Sequence, residues 1–410
     1  MSETVVPCRS CGHPDLQPFL SLGETPLADA LLDDEMLTQP EPRFPLEVAF
    51  CPECSLVQIL EEVPPEQLFV DNYLYFSSFS DVLTSHAKTH ADALIEQRRL
   101  GPDSLVVELA SNDGYLLRNF VQQGVPVLGI DPAPEQADAA EAVGVPTLRE
   151  FFGVELAERL RRERRAADVI IANNVMAHVP DLNGFVQGMR VLLADDGIAT
   201  IENPYVRDLI DEIEFDTIYH EHHCYFSCTA VDALMRRNGL SLNEVEYFSD
   251  LHGGTLRWTV SPQVDVGDSV RSYLEQERAA GISSFEYYDG FRHRVEQLRT
   301  ELRAMLTDLK AQGARIAAYG AAAKGSTLVN YVGIGDDLVD YVVDRNTHKQ
   351  GLYMPGVHLP IRDPAVLLDD QPDYLLLLAW NFADEIMDQQ AEYRRRGGRC
   401  IVPVPTPTIV

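Results

Sequence analysis

Ser104-Leu-Val-Val-Glu108-Leu-Ala-Ser-Asn-Asp113-Gly114-Tyr-Leu is an apolar run closed by an acid, then small polar residues, then the start of a helical stretch at Tyr115. That order reads as a buried strand, a tight turn and a helix, the first β-α unit of a nucleotide-binding α/β domain. The next apolar run, Val125-Pro-Val-Leu-Gly-Ile-Asp131, ends in a second acid roughly 20 residues on, where a ribose-binding carboxylate belongs in such a domain. Asp168-Val-Ile-Ile-Ala-Asn173-Asn174 and Gly197-Ile-Ala-Thr-Ile-Glu202-Asn203 continue the pattern, with helical stretches between them. A parallel, doubly wound sheet follows from this alternation. Ligands bind at the carboxyl ends of such strands, which by count brings Asn173, Asn174, His178, Glu202 and Asn203 forward; each has a helix cap or loop group as its plainer reading.

The turn after Glu108 lacks Gly-x-Gly-x-x-Gly, the loop that lets a pyrophosphate approach the backbone. Acids in the first strand and after the second suit instead a cofactor with a positive centre and no phosphate, S-adenosylmethionine. Glu108, Ala110, Asn112, Asp113, Asp131 and Asn173 are its candidate ligands.

Working outward towards the C-terminus, the helical stretches Val270 to Ala280 and Phe285 to Gln312 come first. Phe291, Val295, Leu298, Leu302, Met305, Leu306 and Leu309 form a packing stripe on the second. Ala314-Arg-Ile-Ala-Ala-Tyr319-Gly320-Ala-Ala-Ala-Lys324-Gly325 then opens another β-α unit, with strands at Leu338 to Val343, ending in Asp344, and at Tyr374 to Leu378. This predicts a second, smaller Rossmann-like domain. Small residues before a helix start leave backbone amides open to an anion, and Lys324 and Lys349 supply countercharge for a phosphate; a surface charge is the bland reading of Lys324.

Towards the N-terminus, Cys8-Arg-Ser-Cys11 and Cys51-Pro-Glu-Cys54 are two Cys-x2-Cys knuckles. Four thiolates complete a tetrahedral zinc shell with no open position, so the metal is structural, with a redox pair as the alternative. It would hold together a proline-rich segment too small to stabilise itself.

The chain has 410 residues, enough for three domains, expected at 1–75, 76–265 and 266–410. The whole is thus read as α/β: an N-terminal zinc-binding domain, a central Rossmann-like domain, and bridging helices followed by a C-terminal Rossmann-like domain. A net charge of -31 disfavours nucleic acid and anionic membrane as partners. The basic cluster Arg159 to Arg165 reads as a solvated helix face. With no long apolar run and no signal-peptide pattern at the N-terminus, a cytoplasmic protein is expected, as a monomer.

One further run stands out. Tyr219-His220-Glu221-His222-His223-Cys224 holds three of the 11 histidines. Imidazole titrates near neutral pH and a carboxylate can fix its tautomer, so the run suits proton transfer; metal ligation and a solvated turn are the rival readings.

Two cysteine knuckles, Glu-Leu-Ala-Ser-Asn-Asp-Gly, Tyr219-x-Glu221-His222 and Tyr-Gly-Ala-Ala-Ala-Lys-Gly, in that order, resemble the S-adenosylmethionine-dependent sugar C-methyltransferases of antibiotic biosynthesis over the whole chain. The resemblance implies a dTDP-linked 4-keto-6-deoxysugar as substrate, bound with help from the C-terminal domain. It carries an active-site tyrosine onto Tyr73 in Asn72-Tyr73-Leu-Tyr75, with Tyr75 beside it, and an active-site histidine onto His178. It also carries a catalytic cluster onto Tyr219, Glu221 and His222. His223 and Cys224 depart from the plainer residues expected there.

Carbon accepts a methyl group only when nucleophilic, and the 4-keto group acidifies carbon 3 and carbon 5. The expected chemistry is deprotonation by His222, oriented by Glu221, with His178 or a tyrosine hydroxyl stabilising the enolate. Carbon 3 is the favoured acceptor. Tyr75, Asn203, Gly320, Lys324, Asp344 and Lys349 are candidate substrate contacts. Methylation of carbon 5 or of oxygen on a related substrate, and a non-catalytic zinc-containing binding protein, are the alternatives.

Overall fold

The computed structural model describes residues 6–64, 67–68, 75–163, 166–251 and 253–410. Its strands are β1 (Gln17–Thr25), β2 (Phe44–Phe50), β3 (Val57–Ile59), β4 (Val106–Leu109), β5 (Val127–Ile130), β6 (Thr147–Leu148), β7 (Ala167–Asn173), β8 (Leu193–Pro204) and β9 (Cys224–Tyr225). Beyond these come β10 (Ser241–Phe248), β11 (Thr255–Ser261), β12 (Ile316–Tyr319), β13 (Val342–Val343), β14 (Ile361–Arg362), β15 (Tyr374–Leu377), β16 (Arg399–Val402) and β17 (Thr408–Ile409). They form three sheets, ordered β1-β2-β3-β9, β10-β11-β8-β7-β4-β5-β6 and β14-β13-β12-β15-β16-β17.

The central sheet is parallel from β6 through β8, and only β11 runs against its neighbours. Burial on both faces explains its apolar strands: Val106, Val107 and Leu109 are fully buried, with Glu108 at 1% exposure the lone charge among them. Chain direction across the sheet switches between β4 and β7, where doubly wound folds open a ligand crevice. The C-terminal sheet repeats the scheme around β12 and β15, with β17 antiparallel at one edge.

The N-terminal sheet is antiparallel, and β9, brought from more than 150 residues away, closes it by pairing Cys224 with Gln58. Gly12 (φ 75°) and Ser55 (φ 61°) turn left-handed just after each cysteine pair, so that the Gly12 and Ser55 amides bond the Cys8 and Cys51 carbonyls. The two knuckles are the same turn built twice.

Several boundaries differ from expectation. The helix that follows β4 starts at Leu117, because left-handed Asn112 (φ 48°) and Gly114 (φ 75°) extend the turn past Tyr115. The long helix is broken into Glu286–Asp289 and Phe291–Ala311 at Gly290, whose ψ of -7° leaves the helical ladder. Leu338 and Val339 belong to a turn on the Gly335 carbonyl, leaving Val342–Val343 as strand. The stripe Phe291, Val295, Leu298, Leu302, Leu306 and Leu309 packs in one apolar cluster with Phe19 and Leu20 of the first sheet, Ile316 of the third and Leu328 of the helix Ala323–Val332. Among the described residues, no helix is long and apolar enough to cross a membrane.

Candidate active site

The turn after β4 collects acceptors. Both oxygens of Asp131 are bonded, Oδ2 by the Asn112 amide (2.8 Å) and Oδ1 by the Ala133 amide (2.9 Å). Ala110 (φ 54°) and Asn112 take the left-handed conformation, which non-glycine residues keep only where surroundings impose it. Burial pushes Glu108 well above the usual carboxylate range, and the Asp113 and Asp131 charges add to that; burial lifts Asp131 to about 6. Glu108 Oε2, Asp113 Oδ1 and Asn173 Oδ1 are buried without hydrogen-bond partners among the described residues. Acidic and amide oxygens left unsatisfied at the switch point fit a cation bearing hydroxyl and ammonium donors, as S-adenosylmethionine does. Over this turn lies the segment from Tyr75 to Phe79: Ser77 and Ser78 amides donate to Asn112 Oδ1 (2.9 Å) and Asp113 Oδ2 (3.1 Å), and the Tyr75 carbonyl accepts from Asn112 (3.1 Å) and Gln136 (3.2 Å). Tyr73 lies outside the described residues.

The segment from Glu214 to Tyr225 is gripped by all three sheets. From the first, the Pro45 carbonyl meets His220 Nε2 (3.0 Å), the Ile59 amide donates to the His223 carbonyl (3.0 Å), and the Asp29 amide donates to Glu221 Oε1 (3.3 Å). From the central sheet, the Ala177 carbonyl accepts the His223 amide (2.7 Å), and His178 Nδ1 lies 2.6 Å from the Glu221 carbonyl. From the C-terminal sheet, Trp380 Nε1 donates to Asp216 (2.6 Å) and the Thr327 hydroxyl to the Ile218 carbonyl (3.3 Å). The carboxyl-end loops of both parallel sheets therefore meet on the segment that holds the histidines.

Within it a directed chain appears. His222 Nδ1 faces the Thr217 carbonyl at 2.9 Å, which makes Nδ1 the protonated nitrogen and leaves Nε2 to accept from the Tyr219 hydroxyl at 2.8 Å. The orienting group is thus a backbone carbonyl. Glu221, expected to orient His222, instead accepts the Asp29 amide at Oε1, while the Thr217 carbonyl holds the His222 ring. His178 stands 4.7 Å from His222 between ring centres; burial depresses it to about 4, and its hydrogen bonds go to the Glu221 and Asn174 carbonyls. It is a neutral strut under Glu221. His220 and His223 are fully buried and pushed down by burial, the latter to about 3.

Of the other candidates, Asn203 is buried, on the face of β8 opposite Glu202, and both its amide atoms lack partners. Glu202 is engaged elsewhere: although burial opposes it, His86 (3.0 Å) and Arg257 (2.6 Å) hold its carboxyl down at about 2. In the third sheet the Ala321 and Asn346 amides bond the two oxygens of Asp344, each at 2.8 Å, and buried Lys349 donates to the Ala321 carbonyl (2.7 Å). Lys324 sits 4.7 Å over the Trp380 ring, in the field of Asp216 and Glu214. Gly320 (φ 104°) is required, since a Cβ would lie 2.8 Å from that of Ala379. Asp29, Thr217, Asp216 and Trp380 carried no local sequence signal: each acquires its place only when distant segments meet.

The four knuckle sulfurs lie within 4.8 Å of one another, with Cys8–Cys54 and Cys11–Cys51 both at 3.5 Å. Zinc–sulfur bonds of about 2.3 Å set sulfurs roughly 3.8 Å apart in a tetrahedron, so this donor set fits zinc.

These features define a zinc-containing transferase that takes a sulfonium cofactor. Residues 8–69 match a zinc binding domain, 84–245 a methyltransferase domain and 250–405 a C-methyltransferase C-terminal domain. The C-methyltransferase NovU of Streptomyces niveus is 36% identical over 406 residues, covering 98% of this chain and 96% of its own. The chain belongs to the S-adenosylmethionine-dependent C-methyltransferase family, with S-adenosylmethionine and zinc as its cofactors. Solved structures that resemble it include magnesium protoporphyrin IX methyltransferase from Synechocystis (14% identity, TM-score 0.35, 48% of this chain and 89% of that one). Another is a methyltransferase from Archaeoglobus fulgidus (14%, 0.33, 40% and 72%).

Proposed function

We propose that the protein methylates the carbon next to the ketone, carbon 3, of a dTDP-linked 4-keto-6-deoxysugar. The observation that carries this reading is the Thr217 carbonyl–His222–Tyr219 chain, placed where the carboxyl-end loops of two parallel sheets meet. One sheet presents acids suited to the sulfonium cofactor and the other a lysine-bearing loop suited to an anionic nucleotide sugar. The relative from Streptomyces niveus, named a C-methyltransferase, supports the choice of carbon as acceptor.

In this mechanism the substrate's α-proton leaves through the Tyr219–His222 pair and comes to rest on His222 Nε2; the Thr217 carbonyl stabilises the resulting imidazolium. The electron pair of the broken C–H bond passes into the enolate and then into the new C–C bond. S-adenosylmethionine, when bound, would supply the electrophilic methyl, the C–S bonding pair remaining on sulfur as a neutral thioether. Glu108, Asn112, Asp113, Asp131 and Asn173 hold the cofactor, while Tyr75, Asn203, Lys324 and Lys349 hold the sugar nucleotide. Fixing both partners is worth on the order of 7 kcal/mol or more in avoided entropy loss.

The test is incubation with S-adenosylmethionine and a panel of dTDP-4-keto sugars, read by mass spectrometry, together with exchange of the substrate proton into heavy water. His222→Ala is expected to bind cofactor while losing both methyl transfer and exchange. Undiminished exchange would remove His222 as the base, and methylation at oxygen would overturn the reading.

A further inference from the structure

Tyr75, Glu221, Asp344 and Lys349 surround the carboxyl of Asp29. Asp29, in the loop between β1 and β2, donates its amide to Glu221 Oε1 at 3.3 Å. Its carboxyl lies in the field of Lys349 and Asp344 from the C-terminal sheet, and Tyr75 and Glu221 lie in the field of Asp29. Around Glu221 itself stand Asp29, the His178 ring on its carbonyl, its neighbour His222, and Tyr225, which lies in its field.

The charges in this cluster do not balance. Asp29 lies in the field of the Lys349 ammonium and of the Asp344 carboxyl, and Glu221 lies in the field of Asp29. Asp344 accepts two backbone amides, an arrangement that suits an ionised carboxylate. Lys349 then offsets one charge. If Asp29 and Glu221 were both ionised, two negative charges would remain uncompensated, one of them on Glu221, which is 3% exposed. Meanwhile Glu221 Oε1 accepts the Asp29 amide, and Oε2 is buried with no partner among the described residues. A carboxyl that accepts at one oxygen and has an unused second oxygen is arranged to donate from it.

We propose that Asp29 and Glu221 together retain one proton at neutral pH, carried on Glu221 Oε2, and that this O–H is the donor to the substrate's carbonyl oxygen as the enolate forms. Asp29 is the positioning residue. This rests on the reading of the substrate as a ketone. It gives the zinc-binding domain a chemical task beyond stability, since its loop delivers the charge that keeps Glu221 protonated. Burial and the Asp29 charge lift Glu221 to about 8, consistent with that geometry.

The experiment uses the full-length zinc-loaded protein, labelled with 13C at glutamate and aspartate carboxyls, with no substrate present. The Glu221 resonance is assigned by its loss in Glu221→Gln and followed through pH. Asp29→Asn keeps the amide and the side-chain size but removes the charge, so the Glu221 midpoint is expected to fall by about one unit or more. By reciprocity the Asp29 midpoint falls in Glu221→Gln, which reads the same coupling should Asp29→Asn fail to fold. An unchanged midpoint, or a Glu221 already ionised at pH 6 in the unaltered protein, overturns the proposal. With an accepted sugar, the alkaline limb of kcat/KM is expected to move down with the Glu221 midpoint in Asp29→Asn; a fixed limb removes the donor role. If no keto sugar is turned over at all, the substrate reading fails while the titration still decides the proton pair.

Discussion

The turns after β4 and β12 are built on one frame and carry different side chains. In each, the acid following the second strand binds backbone amides with both oxygens: Asp131 takes Asn112 and Ala133, and Asp344 takes Ala321 and Asn346. The pairing register sets Glu108 beside Gly129, two residues before Asp131, and Ala318 beside Val342, two residues before Asp344. Where one turn has a buried acid the other has a methyl group. The central turn spends an extra left-handed residue, Ala110, before the Ser111 amide returns to the sheet; in the other, Gly320 returns directly. The same backbone frame thus carries three acids, Glu108, Asp113 and Asp131, in one turn, and in the other one acid, Asp344, with Lys349 bonded to the Ala321 carbonyl.

The largest effect is expected from removing what holds both turns against the histidine segment. Cys51→Ser, or stripping the metal, should unfold the first sheet, leave β9 unpaired and abolish activity, with metal analysis falling from about one zinc per chain. A metal-free chain with an unchanged melting profile would refute the structural zinc. Next, exchanging the acids one at a time should separate the turns. Asp131→Ala is expected to weaken S-adenosylmethionine binding by about 100-fold or more, because two amides lose their acceptor; Asp344→Ala should spare cofactor binding in titration calorimetry and weaken the nucleotide sugar.

A third effect is smaller and pH-dependent. Asp131, lifted by burial to about 6, is protonated at pH 5 and ionised at pH 7.5. Cofactor affinity should therefore rise about tenfold across that interval, and Asp131→Asn should flatten the rise. The stability linkage runs the other way: a raised folded-state value means stability present at low pH is lost as pH climbs through 6, so the cofactor-free melting temperature should fall over the same range. The smallest expected change is at Lys324. Lys324→Met should raise the nucleotide-sugar KM up to about tenfold with cofactor affinity intact; an unchanged KM with lower stability would mean that Lys324 serves only Asp216, Glu214 and Trp380.

The frame was largely legible. Apolar runs ending in acids or asparagines located β4, β5, β7 and β8, the paired knuckles located the zinc shell, and the tyrosine–histidine spacing located the segment on which the three sheets meet. Partnerships were less so. Glu221 sits next to His222 in the chain, which suggested an orienting carboxylate, yet the Thr217 carbonyl takes that part. Backbone carbonyls are identical along any sequence, so none can be singled out without the fold. Glu202 looked like any acid at a strand end until His86 and Arg257, from other elements, proved to hold it.

What the sequence determined by itself is local: strand and helix periodicity, the residue that each turn places at a strand's end, and four cysteines at spacings that close one metal shell. Such features depend on neighbours within a few positions and survive any later packing. The tertiary structure decided which end meets which. Only when β9 joined the first sheet and two crevices closed on the segment from Glu214 to Tyr225 did Asp29 reach Glu221, and Lys324 the Trp380 ring. Those meetings depend on side chains and backbone groups far apart in the chain, and their energies, like the proton held near Glu221, exist only once water has been excluded between them.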